Sequence, residues 1–175
     1  MASRIREAVE APNPFEGYSP GEERPLAPYA GLAAVWLAAL VGFLGLARAL
    51  DKPLPRPGVG DIVLLAGATF HVSRLISKDM ILSFLRAPFT RYKEPGAPGE
   101  VNEEPRKETE LRHAVGELVS CPFCTATWVA AGFIYGFTFF PAITRLLASM
   151  FCVIGLADVF QLAYGTAHQK AQDQQ

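Results

Sequence analysis

The sequence has 175 residues, half of them hydrophobic, and its 16 Lys and Arg nearly balance its 17 Asp and Glu. This balance gives no support for a nucleic-acid partner, and three cysteines, an odd number, do not suggest a disulfide framework. The charges are segregated along the chain, and long stretches carry almost none. Such segregation is typical of a membrane protein, because about 20 apolar residues are needed to cross a bilayer.

The N-terminal segment 1–28 contains five prolines among glycines and acidic residues and is predicted to be a mobile tail. The first membrane span is predicted at 29–48, where the apolar run is uninterrupted by charge until Arg48. Small residues recur along this span at every fourth position, which would let another helix approach closely: Ala34, Ala38 and Gly42. The alternative is that alanine is simply common in apolar helices.

The second span is predicted at 61–80, after a proline-rich connection, and it carries basic groups towards its end. His71, Arg74 and Lys78 share one face of a helix at 100° per residue. The helix is expected to enter as a membrane span and to continue as an amphipathic segment to Arg86. Lys78 and Arg86 are then placed to contact lipid headgroups.

A loop at 89–119 is predicted between the second and third spans. Its first part is rich in Pro, Gly and Glu, has no hydrophobic period, and is expected to be exposed. Its end has the i, i+4, i+7, i+8 spacing of a short helix lying on the membrane surface: Leu111, Val115, Leu118 and Val119.

The third span is predicted at 122–141 and the fourth at 145–165, with a polar tail at 166–175. The third holds a Gly132-x-x-x-Gly136 pattern, which favours close helix packing. The fold class is therefore all-α: a polytopic membrane helix bundle, residues 29–165, with four predicted spans plus a short interfacial helix.

Orientation follows from the positive charges that flank the spans. Ten basic residues lie on the side of the termini and the 89–119 loop, and four lie on the other side. By the positive-inside rule, we expect a multi-pass protein of the cell membrane with both termini in the cytoplasm.

Two intramembrane charges are predicted to pair. Arg74 and Asp158 lie at nearly equal distances from the starts of the second and fourth spans, so they reach a similar depth. A lone charge there costs roughly 3 kcal/mol, which favours an ion pair that fixes helix packing. The alternative is a proton or ion relay through His71, Arg74 and Asp158.

The pair Cys121 and Cys124 lies where the third span begins. Pro122 fits the first helical position, because its missing N–H would be unpaired there, so Cys121 is the N-cap and Cys124 is at N3. Both sulfurs then lie beside the positive end of the helix dipole. A third cysteine, Cys152, is most simply explained by core packing.

Three interpretations of the thiol pair stay open. Two small residues capping a helix is the simplest. Disulfide exchange is the second, since a thiolate is favoured at a helix N-terminus and Cys-Pro-Phe-Cys is similar to the glutaredoxin tetrapeptide. A zinc site is the third, with His113 as the nearest further ligand to Cys121 and Cys124, and completion of the site would require another subunit or a partner.

Two segments of the chain resemble the YjcA-like family of uncharacterised small bacterial membrane proteins, the domain-of-unknown-function 1360 family. One runs from Arg74 to Asp79 and continues with 85–89; the other joins 116–118 to Cys-Pro-Phe-Cys and Trp128. The resemblance covers roughly residues 60–165 and implies a bacterial multi-pass membrane protein without a catalytic role to transfer. The matching positions are Arg74, Lys78, Asp79, Arg86, Glu117, Cys121, Cys124 and Trp128.

These patterns favour a non-enzymatic integral membrane protein whose cytoplasmic face contacts membrane lipids or a protein partner, including another copy of the chain. The thiol pair and the basic helix end are the expected contact groups. The alternative functions are a membrane thiol-disulfide oxidoreductase using Cys121 and Cys124, and a metal site completed by another subunit. No cofactor is predicted, with zinc as the one candidate.

Overall fold

The computed structural model describes residues 18–20 and 24–172. Within them lie six helices and one two-stranded hairpin, and the predicted all-α class is confirmed. The elements are α1 (Leu26–Ala49), α2 (Val59–Lys78), α3 (Ser83–Arg86), β1 (Thr90–Pro95), β2 (Val101–Pro105), α4 (Glu110–Ser120), α5 (Pro122–Phe139) and α6 (Pro141–Gln172). Most of the predicted N-terminal tail 1–28 falls outside the described residues.

The structure contains helices with the length and hydropathy that a membrane span needs. Three helices, α1, α2 and α6, are long and apolar enough to cross a membrane. Helices α4 and α5 meet at a bend of 79°, and together they make a fourth candidate span if they are taken as one broken helix. The 18 residues of α5 reach about 27 Å at 1.5 Å per residue, slightly less than the hydrocarbon core of a bilayer.

The helices have one common end, which we call the thiol end: there α2 ends, α4 lies and α5 begins. The start of α1 is also at this end, because Arg24 and Tyr29 contact Glu117 of α4. At the opposite end, the guanidinium of Arg145, at the start of α6, donates to Asp61, at the start of α2, over 2.9 Å. Helix α1 therefore begins at the thiol end, and α6 ends there.

The core of the bundle is centred on α2, which packs against α5 and α6. Leu65, Ala68 and Ala148 are buried at its centre. Small residues bring the helices close: a Cβ at Gly67 would lie 2.7 Å from Cys152 Sγ, which fits the packing role predicted for this cysteine.

Helix α1 joins the bundle through aromatic contacts near the end opposite the thiols. The ring of Phe43 stacks on that of Tyr135, with centroids 4.3 Å apart, and meets Phe139 edge-on at 5.8 Å. The two glycines of the predicted packing pattern behave differently. A Cβ at Gly136 would lie 2.8 Å from the Thr144 hydroxyl, whereas one at Gly132 would meet nothing within 4 Å.

The predicted exposed loop at 89–109 instead contains an antiparallel hairpin of β1 and β2. A bulge between Tyr92 and Glu94 interrupts its register, and Gly99 takes a positive φ of 79° in the turn. Thr90 and Val101 are buried in the strands, whereas the other strand residues are exposed or half-buried, so the hydrophobic period that identifies a strand is missing.

The second helix ends earlier than predicted, at Lys78. The reason lies in Asp79, whose backbone is extended and whose carboxylate accepts the N–H groups of Ile81 and Leu82 at 2.8 and 3.1 Å. Side chains of this type favour a turn over a continuing helix. The chain therefore bends before the short helix α3. At the C-terminus, α6 continues to Gln172 through most of the predicted polar tail.

Candidate functional site

The thiol pair lies at the junction of α4 and α5. Cys121 has an extended backbone and is the N-cap of α5, and Pro122 opens the helix, as the spacing predicts. The backbone N–H of Cys124 donates to Cys121 Sγ over 3.3 Å, and the Cys124 thiol donates to the same sulfur over 2.8 Å. Both cysteines are free of disulfide bonds. Two thiols in this arrangement are close enough to act together.

The residues between the two cysteines project from the junction. Phe123 is 88% exposed, Cys124 is exposed and Cys121 is half-buried. Cys152 lies apart, in α6 against α2. Cys124 is therefore the one exposed cysteine of the three, since Cys121 and Cys152 are both half-buried.

The base of the junction is fixed by a buried hydroxyl. Thr125 donates its hydroxyl to the carbonyl of Leu118 over 2.8 Å, and the same oxygen lies 3.0 Å from the hydroxyl of Ser77. These contacts join α5 to α4 and to the last turn of α2. The exposed tip consequently rests on a rigid support.

Glu117, one turn before Cys121, is a second point of attachment. Its carboxylate accepts from Arg24 over 3.1 Å and from the hydroxyl of Tyr29, which fastens the start of α1 to α4. His113 Nε2 lies 3.4 Å from the same carboxylate. The imidazole is buried, at 8% side-chain exposure, and faces Glu117.

The zinc interpretation needs further ligands beside the two thiols. Among the residues that the structure describes, no group of three or more His, Cys, Asp and Glu side chains is placed to hold a metal ion. Cys121 and Cys124 supply two sulfur ligands, and His113 is engaged with Glu117. Since structural zinc takes four ligands, the remaining ligands would have to come from another chain.

Arg86 is the most completely bonded side chain near the thiol end. Its guanidinium makes two bonds to Glu103, at 2.8 and 3.1 Å, and donates to the carbonyls of Ile76 and Asp79 at 2.8 and 2.9 Å. Thr90 completes the group by donating to Glu103 over 2.7 Å. The side chains of Arg86 and Glu103 are 1% and 5% exposed, so this is a buried bidentate ion pair.

This burial corrects the headgroup contact predicted for Arg86. A guanidinium that is 1% exposed and bonded to α2 and the hairpin does not reach a lipid surface. The hairpin is the physical reason, because β2 brings Glu103 to a residue that the sequence places at a helix end. Lys78 is half-buried in the last turn of α2, and its contact with lipid headgroups stays a prediction.

Helix α4 is pressed against the hairpin at Gly116. A Cβ there would lie 2.5 Å from the carbonyl oxygen of Phe89 and 2.9 Å from Pro105 Cβ. A helical glycine normally weakens a helix, so its presence here is explained by this close approach. The contact fixes the hairpin, and hence the Arg86 pair, relative to the thiol junction.

The ion pair predicted between Arg74 and Asp158 is corrected in the same way. The guanidinium of Arg74 donates to Glu100 of the hairpin, at 2.5 and 3.1 Å. The carboxylate of Asp158 lies 3.4 Å from His71 Nδ1. The turn between β1 and β2 lies over α2 and supplies a carboxylate for Arg74, so each of the two residues has a different partner.

Glu108, at the base of the hairpin, is an exposed carboxylate among basic groups. It accepts from Arg91 at 2.5 Å and lies 3.5 Å from Arg106. The pKa of this carboxyl is lowered most strongly by a hydrogen bond from its own backbone N–H. Desolvation opposes this effect, and the guanidinium groups of Arg91 and Arg106 lower the pKa further. Glu108 is therefore ionised throughout the neutral range.

Sequence patterns did not identify four residues that build this site: Ser77, Thr90, Glu103 and Thr125. Each is polar and lies in a segment without periodicity or in the first turns of an apolar helix. One signal was available for Glu103, since an arginine following an apolar helix needs a carboxylate if it is buried, and the acidic 94–110 segment offers several.

Comparison with known proteins gives a family and no activity. A family model described as "Protein of unknown function (DUF1360)" matches residues 64–164. The sporulation protein YjcA of Bacillus subtilis is 34% identical over 102 residues, which are 57% of this chain and 86% of that protein. The UPF0713 protein YngL of the same organism is 26% identical over 104 residues, 59% of this chain and 77% of that protein. No solved structure matches significantly.

Proposed function

The chain belongs to the DUF1360 family of proteins of unknown function, and from this premise we propose that it is a non-enzymatic, multi-pass membrane protein that makes contacts through its thiol end. This end faces the cytoplasm, and its contacts are lipid headgroups or a protein partner at the membrane surface.

The observation that carries the proposal is the exposed turn at Phe123, which projects from helices that are bonded firmly to one another. Phe123 is 88% exposed between two cysteines, while Thr125 and Glu117 bond the flanking helices in place. An exposed aromatic side chain on a rigid support binds without a large loss of conformational freedom. Phenylalanine is also among the side chains by which interfacial helices enter the boundary between headgroups and acyl chains.

Charge supports the cytoplasmic orientation. Basic residues are concentrated in the elements of the thiol end, whereas the opposite end carries few, and positive charge is retained on the cytoplasmic side of membrane proteins. The thiol-end residues in the described chain are Arg24, Lys78, Arg86, Arg91, Lys93, Arg106, Lys107, Arg112 and Lys170. Those at the opposite end are Arg48, Lys52, Arg56 and Arg145.

Cysteine accessibility tests the orientation. A membrane-impermeant maleimide should label Cys124 in inside-out vesicles and leave it unlabelled in intact cells. The matched control is a Cys121→Ser, Cys124→Ser variant with Leu54→Cys, an exposed position in the connection after α1, which should show the reverse pattern. Labelling of Cys124 from outside the cell would contradict the proposal.

Contact by the tip is tested with a photo-reactive phenylalanine analogue at position 123 in native membranes. The expected result is cross-linking to lipid or to a discrete polypeptide. Phe140 is the control, since it is 62% exposed at the other end of α5. Equal and unspecific labelling at both positions would remove the special role of the tip.

Thiol-disulfide exchange is the second candidate function, and it is favoured by the 2.8 Å separation of the two sulfurs, which places them within reach of each other. In this reaction Cys121 and Cys124 would pass two electrons and two protons to a partner disulfide, which becomes two thiols, while Cys121 and Cys124 become joined by a disulfide. Alkylation trapping should then detect a mixed disulfide in either Cys121→Ser or Cys124→Ser. If neither variant traps a partner and the purified protein carries zinc, a metal site shared between subunits is favoured instead.

A further inference from the structure

A cleft of about 720 Å³ with both polar and apolar lining residues lies between the second half of α6, the last turns of α2 and the turn of the hairpin. It is separate from the thiol pair, which does not line it. Its charged and polar lining residues come from all three elements: His71, Arg74, Asp79, Glu100, Asp158, Gln161, Thr166 and Gln169.

The carboxylates of the cleft are not equally satisfied. Glu100 accepts from Arg74, and Asp79 accepts two backbone N–H groups. Asp158 lies 3.4 Å from the imidazole of His71, and its side chain is 52% exposed to the cleft. Three carboxylates thus face one guanidinium, and Asp158 has no permanently cationic partner within 4 Å in the described part of the chain.

The other lining groups suit a ligand that donates hydrogen bonds. Gln161 and Gln169 lie on the same wall of α6 as Asp158, and their side-chain amides can accept hydrogen bonds through the carbonyl oxygen. The acid groups are too dispersed for a metal ion, since the described residues contain no set of three metal-binding side chains placed together. A charged donor with three N–H groups matches this arrangement, and a primary ammonium group has this chemistry.

The position of the cleft fits such a ligand. Arg74 lies four residues before the end of α2, or about 6 Å from that end along the helix. Leu75, Val159 and Leu162 form apolar parts of the wall. The cleft is therefore next to the membrane boundary, where an ammonium group arrives either on a lipid headgroup or on a small molecule from solution.

We propose that this cleft binds a primary ammonium group, with the carboxylate of Asp158 as its counter-ion and the amide oxygens of α6 as further acceptors. The inference goes beyond the contact function assigned to the thiol end and does not depend on it. The ammonium group is supplied by a phosphatidylethanolamine headgroup or by a free amine.

The test uses the full chain in nanodiscs. Native mass spectrometry compares retention of phosphatidylethanolamine and phosphatidylcholine, and thermal unfolding in phosphatidylcholine nanodiscs is measured with added ethanolamine, which stabilises the folded state if it binds. Asp158→Asn should weaken the response about tenfold or more, because a charge-assisted bond is lost. Glu104→Gln removes an exposed carboxylate outside the cleft and should bind normally.

A second variant covers the case in which Asp158→Asn does not fold. Gly165 lines the cleft, a Cβ there would meet nothing within 4 Å, and leucine is a good helix former, so Gly165→Leu should fold and block binding. Retention of phosphatidylethanolamine without a response to ethanolamine identifies the lipid source, and the reverse identifies a free amine. The proposal is overturned if the wild type shows neither response, or if Gly165→Leu binds as well as the wild type.

Discussion

Two groups of charges lie on the thiol side of the bundle and differ in how completely they are bonded. In the first, Arg86 and Glu103 are 1% and 5% exposed and are bonded to each other and to the backbone. In the second, Arg74 and Glu100 are 40% and 19% exposed, and Asp158 is 52% exposed beside His71. The polar groups of the first set are bonded within the protein, whereas the second set leaves the carboxylate of Asp158 half exposed.

Removing one partner of the buried pair is the most direct test of the difference between the two groups. Arg86→Ala leaves Glu103 charged and buried, which should lower the free energy of unfolding by about 3–5 kcal/mol. Equilibrium denaturation in detergent measures the loss. The matched control is Arg91→Ala, which breaks the exposed pair with Glu108, at 57% and 37% exposure, and should cost less than about 1 kcal/mol. Equal losses would show that burial does not distinguish the two pairs.

A smaller effect tests how rigidly the buried group is held. Gly116→Ala would place a methyl group 2.5 Å from the carbonyl oxygen of Phe89, so we expect a loss of about 1–3 kcal/mol from overpacking. Gly132→Ala is the control, because a Cβ there meets nothing within 4 Å and alanine favours the helix. If both variants were neutral in the same denaturation assay, the close contact of α4 with the hairpin would not be maintained in the membrane.

Double-mutant cycles measure which residues are paired in the second, more exposed group. Arg74→Gln and Glu100→Gln should be coupled by about 0.5–1 kcal/mol, as expected for a partly exposed pair. Arg74→Gln and Asp158→Asn should have additive effects, because the two side chains have different partners. Strong coupling between Arg74 and Asp158 would instead restore the ion pair that the sequence predicts.

The spans and the thiol junction were predictable because each depends on local physics. Apolar length identifies membrane helices, and a proline after a small residue that can accept a hydrogen bond identifies a helix start, as found at Cys121 and Pro122. The existence and the type of these helices were predicted correctly, but two of their ends were not. Helix α2 ends at Lys78 because Asp79 caps it, and α6 continues to Gln172 past the predicted end of the span.

The partners of the charged residues were not predictable in this way. Glu100 and Glu103 reach α2 only because a polar hairpin folds back onto this helix. The two strands lack the alternation of apolar and polar residues from which a strand is predicted. Arg74 and Asp158 were paired because they were expected at the same depth in the membrane. That argument considered only charged residues within the spans and so omitted Glu100 of the hairpin. Gly116 was the available signal, since a glycine inside an amphipathic helix often marks a close approach.

The smallest expected effect concerns the exposed edge of the hairpin. Because the pKa of Glu108 is lowered in the folded protein, the carboxylate contributes to stability at pH values above its unfolded pKa, and this contribution is lost as the pH falls through the folded pKa. In an NMR titration, Arg91→Ala should raise the pKa of Glu108 towards its usual range, whereas Lys107→Ala, which removes a nearby cation that forms no ion pair with it, should have little effect. Because both groups are exposed, added salt should reduce the shift, in contrast to the salt-insensitive loss expected at Arg86. An unchanged pKa in Arg91→Ala would show that Arg91 does not contribute to the lowering, which would then be due to the backbone N–H and Arg106.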